Sequence, residues 1–590
     1  MTQIKTLLIA NRGEIALRVA RACKDMGIRS VAIYADQDID ADFVVVADEA
    51  RALNGTTAPE TYLDADKVLA IAQEVGADAV HPGYGFLSEN AEFAKRVADA
   101  GMAWLGPASE VIDLLGDKIS ARLVAESAGV LPVPGVSSPL QSTEEVLKFA
   151  ETNGYPLLLK RSDGGGGRGI DVIADKAALD QWNELHELPG AGTSHVFVER
   201  YVEVARHVET QCARDSHGGF RVVSTRDCSV QRRHQKLIEE APAPFLTDEQ
   251  NATLEKWSQA LFEAVGYVGV GTCEFLLEPT GELWFLEVNP RLQVEHPVTE
   301  EVSGLDLVAE QVRIAQGDAL TPAIEQRGHS IELRITSEDP AQGLMPTSGR
   351  LDCVTWPTGP GVRLDLGVNL GQEIVTAFDS MIAKIIVTGA DRKQAIARAL
   401  RALGELRITG VTTPAPVYKD ILEDSDFASD DFLVHTRWLE TTFLPEHTYE
   451  GAGAAPSSIE KETRRSFTIE LDGKRMELTV PGDLFQTAAP TATARPIQRR
   501  RGVREGQLQT AAAATGGQIN SPMQAIVVRL AVEEGQQVAE GDLVMVLEAM
   551  KMEKPVYAPV TGTVTTISTT AGASVSAGDP LVTITEEGQE

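Results

Sequence analysis

The sequence predicts a multidomain chain in which a doubly wound α/β unit opens a mixed α/β and α+β body and a small, flattened all-β barrel closes it. Three observations carry this expectation. Short apolar runs alternate with helical patterns over the first hundred or so residues. The last seventy or so residues contain an internal repeat. Between them the composition turns small and polar, without hydrophobic periodicity. With 590 residues the chain is too long for one hydrophobic core, and length alone suggests about three or four domains.

Taken in order, Thr6–Ala10, Ser30–Tyr34 and Ala79–His81 read as buried parallel strands, with helices over Glu14–Met26 and Ala65–Val75. A strand-like Tyr155–Lys160 precedes the run Gly164-Gly165-Gly166-Gly167-Arg168-Gly169. The mixed body continues to about residue 440. Gly451–Ser458 is small and polar, and a hairpin follows: Phe467, Ile469 and Leu471 alternate with polar residues, then Asp472-Gly473, then Met476, Leu478 and Val480. Gln486–Gln518, which includes Arg499-Arg500-Arg501, reads as a flexible tether. In the final segment Pro522, Val527, Gly535, Val538, Gly541 and Asp542 recur 37 residues later as Pro559, Val564, Gly572, Val575, Gly578 and Asp579. Two interlocked four-stranded halves related by a pseudo-two-fold axis are expected.

Composition narrows the function classes. A net charge of −33 argues against non-specific binding to nucleic acid or anionic membrane. Five scattered cysteines without a CxxC pair support neither a zinc ribbon nor a disulfide framework. No run approaches the roughly 20 apolar residues that span a bilayer, and no targeting pattern stands at the start. A soluble cytoplasmic protein is expected.

Three constellations carry chemistry. The glycine run lets backbone N–H groups approach phosphate oxygens, but it is not a Walker A loop, because no Lys-Ser or Lys-Thr pair follows at the required spacing. Glu274 and Glu287 lie in alternating segments joined by a turn at Gly281-Glu282, so both carboxylates and Asn289 can share one face and hold Mg²⁺. Lys551 stands between Met550 and Met552 where the first half of the repeat hands over to the second. Exposed methionines at such a turn suggest a surface read by another protein.

Ala549-Met550-Lys551-Met552 resembles the biotinylation turn of the biotin carboxyl carrier family, whereas lipoyl domains carry Asp-Lys-Ala there. The stretches Asn11-Arg12-Gly13-Glu14, His81-Pro82-Gly83-Tyr84-Gly85-Phe86-Leu87-Ser88-Glu89-Asn90, Gln231-Arg232-Arg233-His234-Gln235-Lys236 and Asn289-Pro290-Arg291-Leu292-Gln293-Val294-Glu295-His296-Pro297 resemble biotin carboxylases of the ATP-grasp fold. The likeness runs from about residue 5 to 440 and resumes over 520–586. It implies an N-terminal α/β subdomain at 1–115, an ATP-grasp domain at 116–320 with a mobile lid at about 131–203, and a C-terminal subdomain at 325–440. A short β element at 441–485, a linker at 486–518 and a biotin carrier domain at 519–588 would follow.

The resemblance also implies roles. Biotin would be attached to Lys551 by biotin protein ligase. Lys118, Lys160 and Gly164, Gly165, Gly166 and Gly167 would bind ATP phosphates. Glu199, with the backbone of Arg200 and Val202, would hold the adenine, and His207 the ribose. Gln231, His234 and Lys236 would hold phosphate and bicarbonate. Glu274, Glu287 and Asn289 would hold Mg²⁺ or Mn²⁺. Arg291 and Gln293 would bind bicarbonate, Glu295 would be its base, and Arg334 would stabilise the biotin enolate. ATP would activate bicarbonate as carboxyphosphate, making carboxybiotin.

Some positions depart from the family pattern. Arg161 and Asp163 stand at the lid entry where small residues are usual, and Asp163 is expected to face away from ATP or to pair with Arg161. Leu333 replaces a frequent Cys beside Arg334 and should affect packing only. Residues 440–520 are too few for a carboxyltransferase, so a separate carboxyltransferase (beta) subunit is expected, with the hairpin either docking it or serving as a spacer. The layout resembles actinobacterial acyl-CoA carboxylase alpha subunits that act on acetyl-CoA or propionyl-CoA in fatty acid biosynthesis, as a homo-oligomer within a larger hetero-oligomer. The biotin subunit of a pyruvate, methylcrotonyl-CoA or geranyl-CoA carboxylase is the alternative. An ATP-grasp carboxylate–amine ligase would leave Lys551 unexplained, and a non-catalytic biotin carrier would leave Glu295 and Arg334 unexplained.

Overall fold

A computed structural model describes residues 3–162, 169–186, 195–323, 325–375, 377–449, 464–471, 474–481, 517–521, 525–549, 552–575 and 578–586. The chain divides into two compact units, Met1–Gly451 and Ala452–Glu590.

The larger unit opens with a five-stranded parallel sheet. Its spatial order is Glu49–Ala52, Arg29–Tyr34, Thr6–Ile9, Ala79–His81 and Ala103–Trp104. The helix Gly13–Asp25 turns its apolar side inward, burying Ile15, Leu17, Val19 and Cys23, as its spacing predicts. Strand order reverses between Thr6–Ile9 and Ala79–His81. The segments leaving those two strands, 10–14 and 81–90, therefore meet at the switch point, where open α/β sheets present their ligand sites. Asn11 fixes the meeting by donating from Nδ2 to the carbonyls of Pro82 at 2.7 Å and Tyr84 at 2.8 Å. Gly83 permits it, with φ of +63° and no room for a Cβ, which would lie 2.7 Å from Asn11 Nδ2.

An eight-stranded antiparallel sheet forms the rest of the frame. In order its strands are Leu283–Asn289, Gly269–Leu277, Arg206–Arg214, Phe220–Arg232, Gln235–Ala241, His329–Thr336, Met381–Gly389 and Val362–Leu366. The expected hairpin is present, with Glu274 directly opposite Glu287 and Thr272 opposite Asn289. A smaller sheet sets Leu157–Arg161 between Ile170–Ile173 and Val196–Arg200. The glycines Gly164 to Gly167, and Asp163 with them, lie outside the described residues. Leu333 is fully buried between Ile238 and Ile385, consistent with a packing role.

In the second unit, Arg464–Leu471 and Lys474–Pro481 pair as the expected hairpin. The repeat forms two four-stranded antiparallel sheets. Ala525–Leu530 and Leu543–Ala549 pair with Ser574–Val575 and Met552–Tyr557 in one; Gly562–Ile567 and Pro580–Glu586 pair with Gln537–Val538 and Gln518–Asn520 in the other. Each sheet takes two strands from each half, so neither half can bury Val527 or Val564 alone. Ala549 and Met552 are register partners; Lys551 between them, and the tether before residue 517, lie outside the described residues.

Candidate active site

A row of charged side chains crosses four neighbouring strands: Glu287, Glu274, Glu209 and Arg226 are successive register partners. Directly opposed residues share a face, so three acids and one arginine face the same side. Arg226 satisfies the innermost acid, donating from Nε to Glu209 Oε1 at 2.5 Å. Lys236 closes over the row from the next strand. Its ammonium lies 2.6 Å from Glu209, 2.9 Å from Glu274 and 2.6 Å from Glu295.

Glu295 precedes the helix His296–Ser303 and is fully buried. Its second oxygen accepts from Arg334 Nη2 at 3.0 Å, and Arg334 also pairs with Glu239. Burial would raise the Glu295 carboxyl, but Lys236, Arg334 and Arg226 outweigh it and hold the group well below the usual carboxylate range. Burial likewise opposes the charge on Glu274, and Lys236 and His207 overcome it and lower that group. Glu287 goes the other way, raised by burial and then by the charge of Glu274. Lys118 lies 4.0 Å from it.

The loop 289–295 gathers the remaining donors. Arg291 donates to Glu89 at 2.6 Å, to Asn289 Oδ1 at 3.0 Å and to Gln293 Oε1 at 2.8 Å. Asn289 Nδ2 and Gln293 Nε2 both reach Glu274 Oε1, at 2.9 and 3.0 Å. Glu295, Arg334, Lys236, Arg291, Gln293, Glu274, Glu287 and Asn289 thus converge on one site.

The residues expected at the nucleotide lie as follows. His207 turns its Nε2 to Glu274 at 3.0 Å and so faces the acid row. Glu199 is tied to both Lys160 and Arg122, and the Arg200 N–H is committed to the Pro134 carbonyl at 2.8 Å. Val202 is buried. Gln231 is the register partner of Lys236, and His234 sits in the turn with φ of +62°.

The sequence reading missed Glu209, Arg226, Glu239 and Tyr84. A signal existed for Glu209: His207, Glu209 and Gln211 alternate within one strand, a polar set with period two that is fully or nearly buried. Tyr84 donates its hydroxyl to Glu14, a contact between the two switch-point segments that no local pattern announces.

The residues present fit a divalent cation between carboxylates. Glu274 and Glu287 face each other from paired strands, and opposed like charges are unfavourable unless a cation joins them.

Four family models match: biotin carboxylase N-terminal domain at residues 3–112, carbamoyl-phosphate synthase L chain ATP-binding domain at 117–323, biotin carboxylase C-terminal domain at 332–441, and biotin-requiring enzyme at 517–584. The biotin-dependent acyl-coenzyme A carboxylase alpha3 subunit of Mycobacterium leprae is 45% identical, with 99% of each chain covered. The mitochondrial propionyl-CoA carboxylase alpha chain of Sus scrofa is 34% identical over 98% of this chain and 91% of its own. Among solved structures, the biotin carboxylase domain dimer of Hydrogenobacter thermophilus 2-oxoglutarate carboxylase, bound to MgADP, ADP and bicarbonate, is 41% identical with a TM-score of 0.71, covering 75% of this chain and 98% of that one. The chain therefore belongs to the biotin-dependent acyl-CoA carboxylase alpha subunits, joining an ATP-grasp biotin carboxylase to a biotin-carrying domain.

Proposed function

We propose that this chain carboxylates biotin carried on its own Lys551 and passes the carboxyl group to a separate carboxyltransferase that carboxylates acetyl-CoA or propionyl-CoA. The observation that carries the reading is Glu295, buried and held ionised between Lys236 and Arg334. When bound, ATP supplies the phosphoryl group that activates bicarbonate, Mg²⁺ offsets phosphate charge, and biotin carries the carboxyl group.

This chain's residues do the rest. Bicarbonate is an anion, and it competes with Glu295 for Lys236 and Arg334. Losing those partners raises the proton affinity of Glu295 Oε, which then takes the bicarbonate proton. Arg291 and Gln293 would orient the bicarbonate, and Arg334, which stays charged, would stabilise negative charge on bound biotin. Glu274, Glu287 and Asn289 would hold the metal, and Lys118 and Lys160 would meet the phosphates.

The acyl-CoA assignment follows from coverage. A pyruvate carboxylase component from Methanothermobacter thermautotrophicus is 41% identical over only 73% of this chain, whereas the acyl-CoA carboxylase chains of Mycobacterium leprae and Sus scrofa align across both units. Biotin protein ligase would read the Met-flanked lysine. Self-association is expected by analogy with the Hydrogenobacter thermophilus domain dimer. Five free cysteines, four of them buried, fit a reducing cytoplasm; among the described residues no helix is long and apolar enough to cross a membrane.

The test is transfer of label from radioactive bicarbonate to biotinylated protein with MgATP. Wild type should gain acid-labile label; Lys551→Ala and an avidin-blocked sample should not. Absence of label on fully biotinylated protein that still binds ATP would overturn the reading.

A further inference from the structure

Lys384 is a fully buried lysine that stands directly opposite Arg334 on the neighbouring strand. Its Nζ donates to the Val294 carbonyl at 2.8 Å and lies 3.0 Å from Glu14 Oε1 and 4.0 Å from Asp365. Val294 is the residue between Gln293 and Glu295. Glu14 belongs to the first turn of the helix Gly13–Asp25 and also accepts the Tyr84 hydroxyl. One ammonium group thus joins the switch-point segments of the parallel sheet to the peptide that carries the residues read as bicarbonate ligand and base. Gly367 keeps this approach close, since a Cβ there would meet the Glu14 backbone nitrogen and the Ile382 carbonyl, each at 3.3 Å.

The arrangement is costly for packing alone. A buried ammonium and carboxylate lose hydration, and apolar groups of the same shape would often serve stability as well or better. What an apolar side chain cannot do is fix a carbonyl. Rotation of the 294 peptide would displace Gln293 and Glu295 together, and a shift of about 1 Å in a reacting group can cost on the order of 100-fold in rate.

We propose that Lys384 is a positioning residue for bicarbonate: by holding the Val294 carbonyl and Glu14 together, it sets the geometry of Gln293 and Glu295. The inference rests on the roles given to those two residues above. Glu332, Asp365 and Arg334 are the charged neighbours on the adjoining strands, and none of them reaches the Val294 carbonyl.

The test uses the full biotinylated chain. Lys384→Met alone would leave Glu14 buried and uncompensated, so the informative variant is Lys384→Met with Glu14→Gln, which removes both charges. We expect its melting temperature to stay within about 5 °C of wild type. Its KM for bicarbonate should rise about tenfold or more while the KM for ATP stays within about twofold. Carboxybiotin formed per ATP cleaved should fall. Glu14→Gln alone keeps the Lys384 bond to Val294 and should change the bicarbonate KM by less than about threefold.

A folded double variant with wild-type bicarbonate KM and coupling overturns the proposal, as does a parallel rise in both KM values. An effect of Glu14→Gln as large as that of the double variant also overturns it. Glu295→Gln measured alongside separates the two readings. If it keeps wild-type turnover, the base assignment fails; if it loses turnover while the double variant does not, only the role of Lys384 fails.

Discussion

Glu295 meets Lys236 at 2.6 Å and Arg334 at 3.0 Å, while Glu239, which shares the same Arg334 nitrogen, is buried with fewer partners. Burial pushes the Glu239 carboxyl up to about 7, against an ordinary value of 4.5, even though Arg334 pulls it down. With the folded value above the unfolded one, its stabilising contribution is fully present below pH 4.5 and lost as pH rises through about 7. Glu239→Gln should therefore flatten the decline in stability between pH 5 and 8, by at most roughly 3 kcal/mol, as read by chemical unfolding at several pH values. A variant whose stability falls as steeply as wild type would contradict this. Glu295→Gln removes the proposed base while leaving the proposed nucleotide contacts untouched. It should lower carboxybiotin formation by about 100-fold or more with ATP binding retained, measured by labelled bicarbonate and by equilibrium nucleotide binding.

At the scale of the element, the site depends on where strands end and which residues they oppose. The 81–90 turn is held by Asn11 through the Pro82 and Tyr84 carbonyls, and Gly83 has a positive φ with Asn11 pressed against it. Gly83→Ala meets both a left-handed backbone and a clash. It should destabilise the larger unit by about 2 kcal/mol or more and weaken activity, because Glu89 of the same turn holds Arg291. Urea unfolding and bicarbonate-dependent ATP cleavage would show whether stability and activity fall together. The hairpin Gly269–Leu277 to Leu283–Asn289 was legible because its turn is short and its side chains alternate. The acid row that continues through Glu209 was not, because the paired strands Arg206–Arg214 and Gly269–Leu277 lie far apart in the chain.

For the whole molecule, two units with separate cores imply separable unfolding. Calorimetry of the full chain should show two transitions, and a chain ending at residue 451 should lose only the one belonging to the repeat unit. A single shared transition would show that the units depend on each other for stability. The 37-residue repeat foretold its architecture because each half exposes an apolar face that only the other half can cover.

By itself, the sequence determined what is local in the chain: the α/β alternation, the repeat, the Met-flanked Lys551, the facing carboxylates Glu274 and Glu287, and the motif blocks around Lys236 and Glu295. Each is written in residues a few positions apart, with a period of two or 3.6 or a turn of fixed length. Only the tertiary structure decided which blocks meet. It placed Lys236 among three acids from three other segments, set His207 against Glu274, and brought Glu14, Tyr84 and Lys384 behind the loop that carries Glu295. Strand register and helix docking are fixed by burial of the entire apolar surface at once, a quantity no short window of sequence contains.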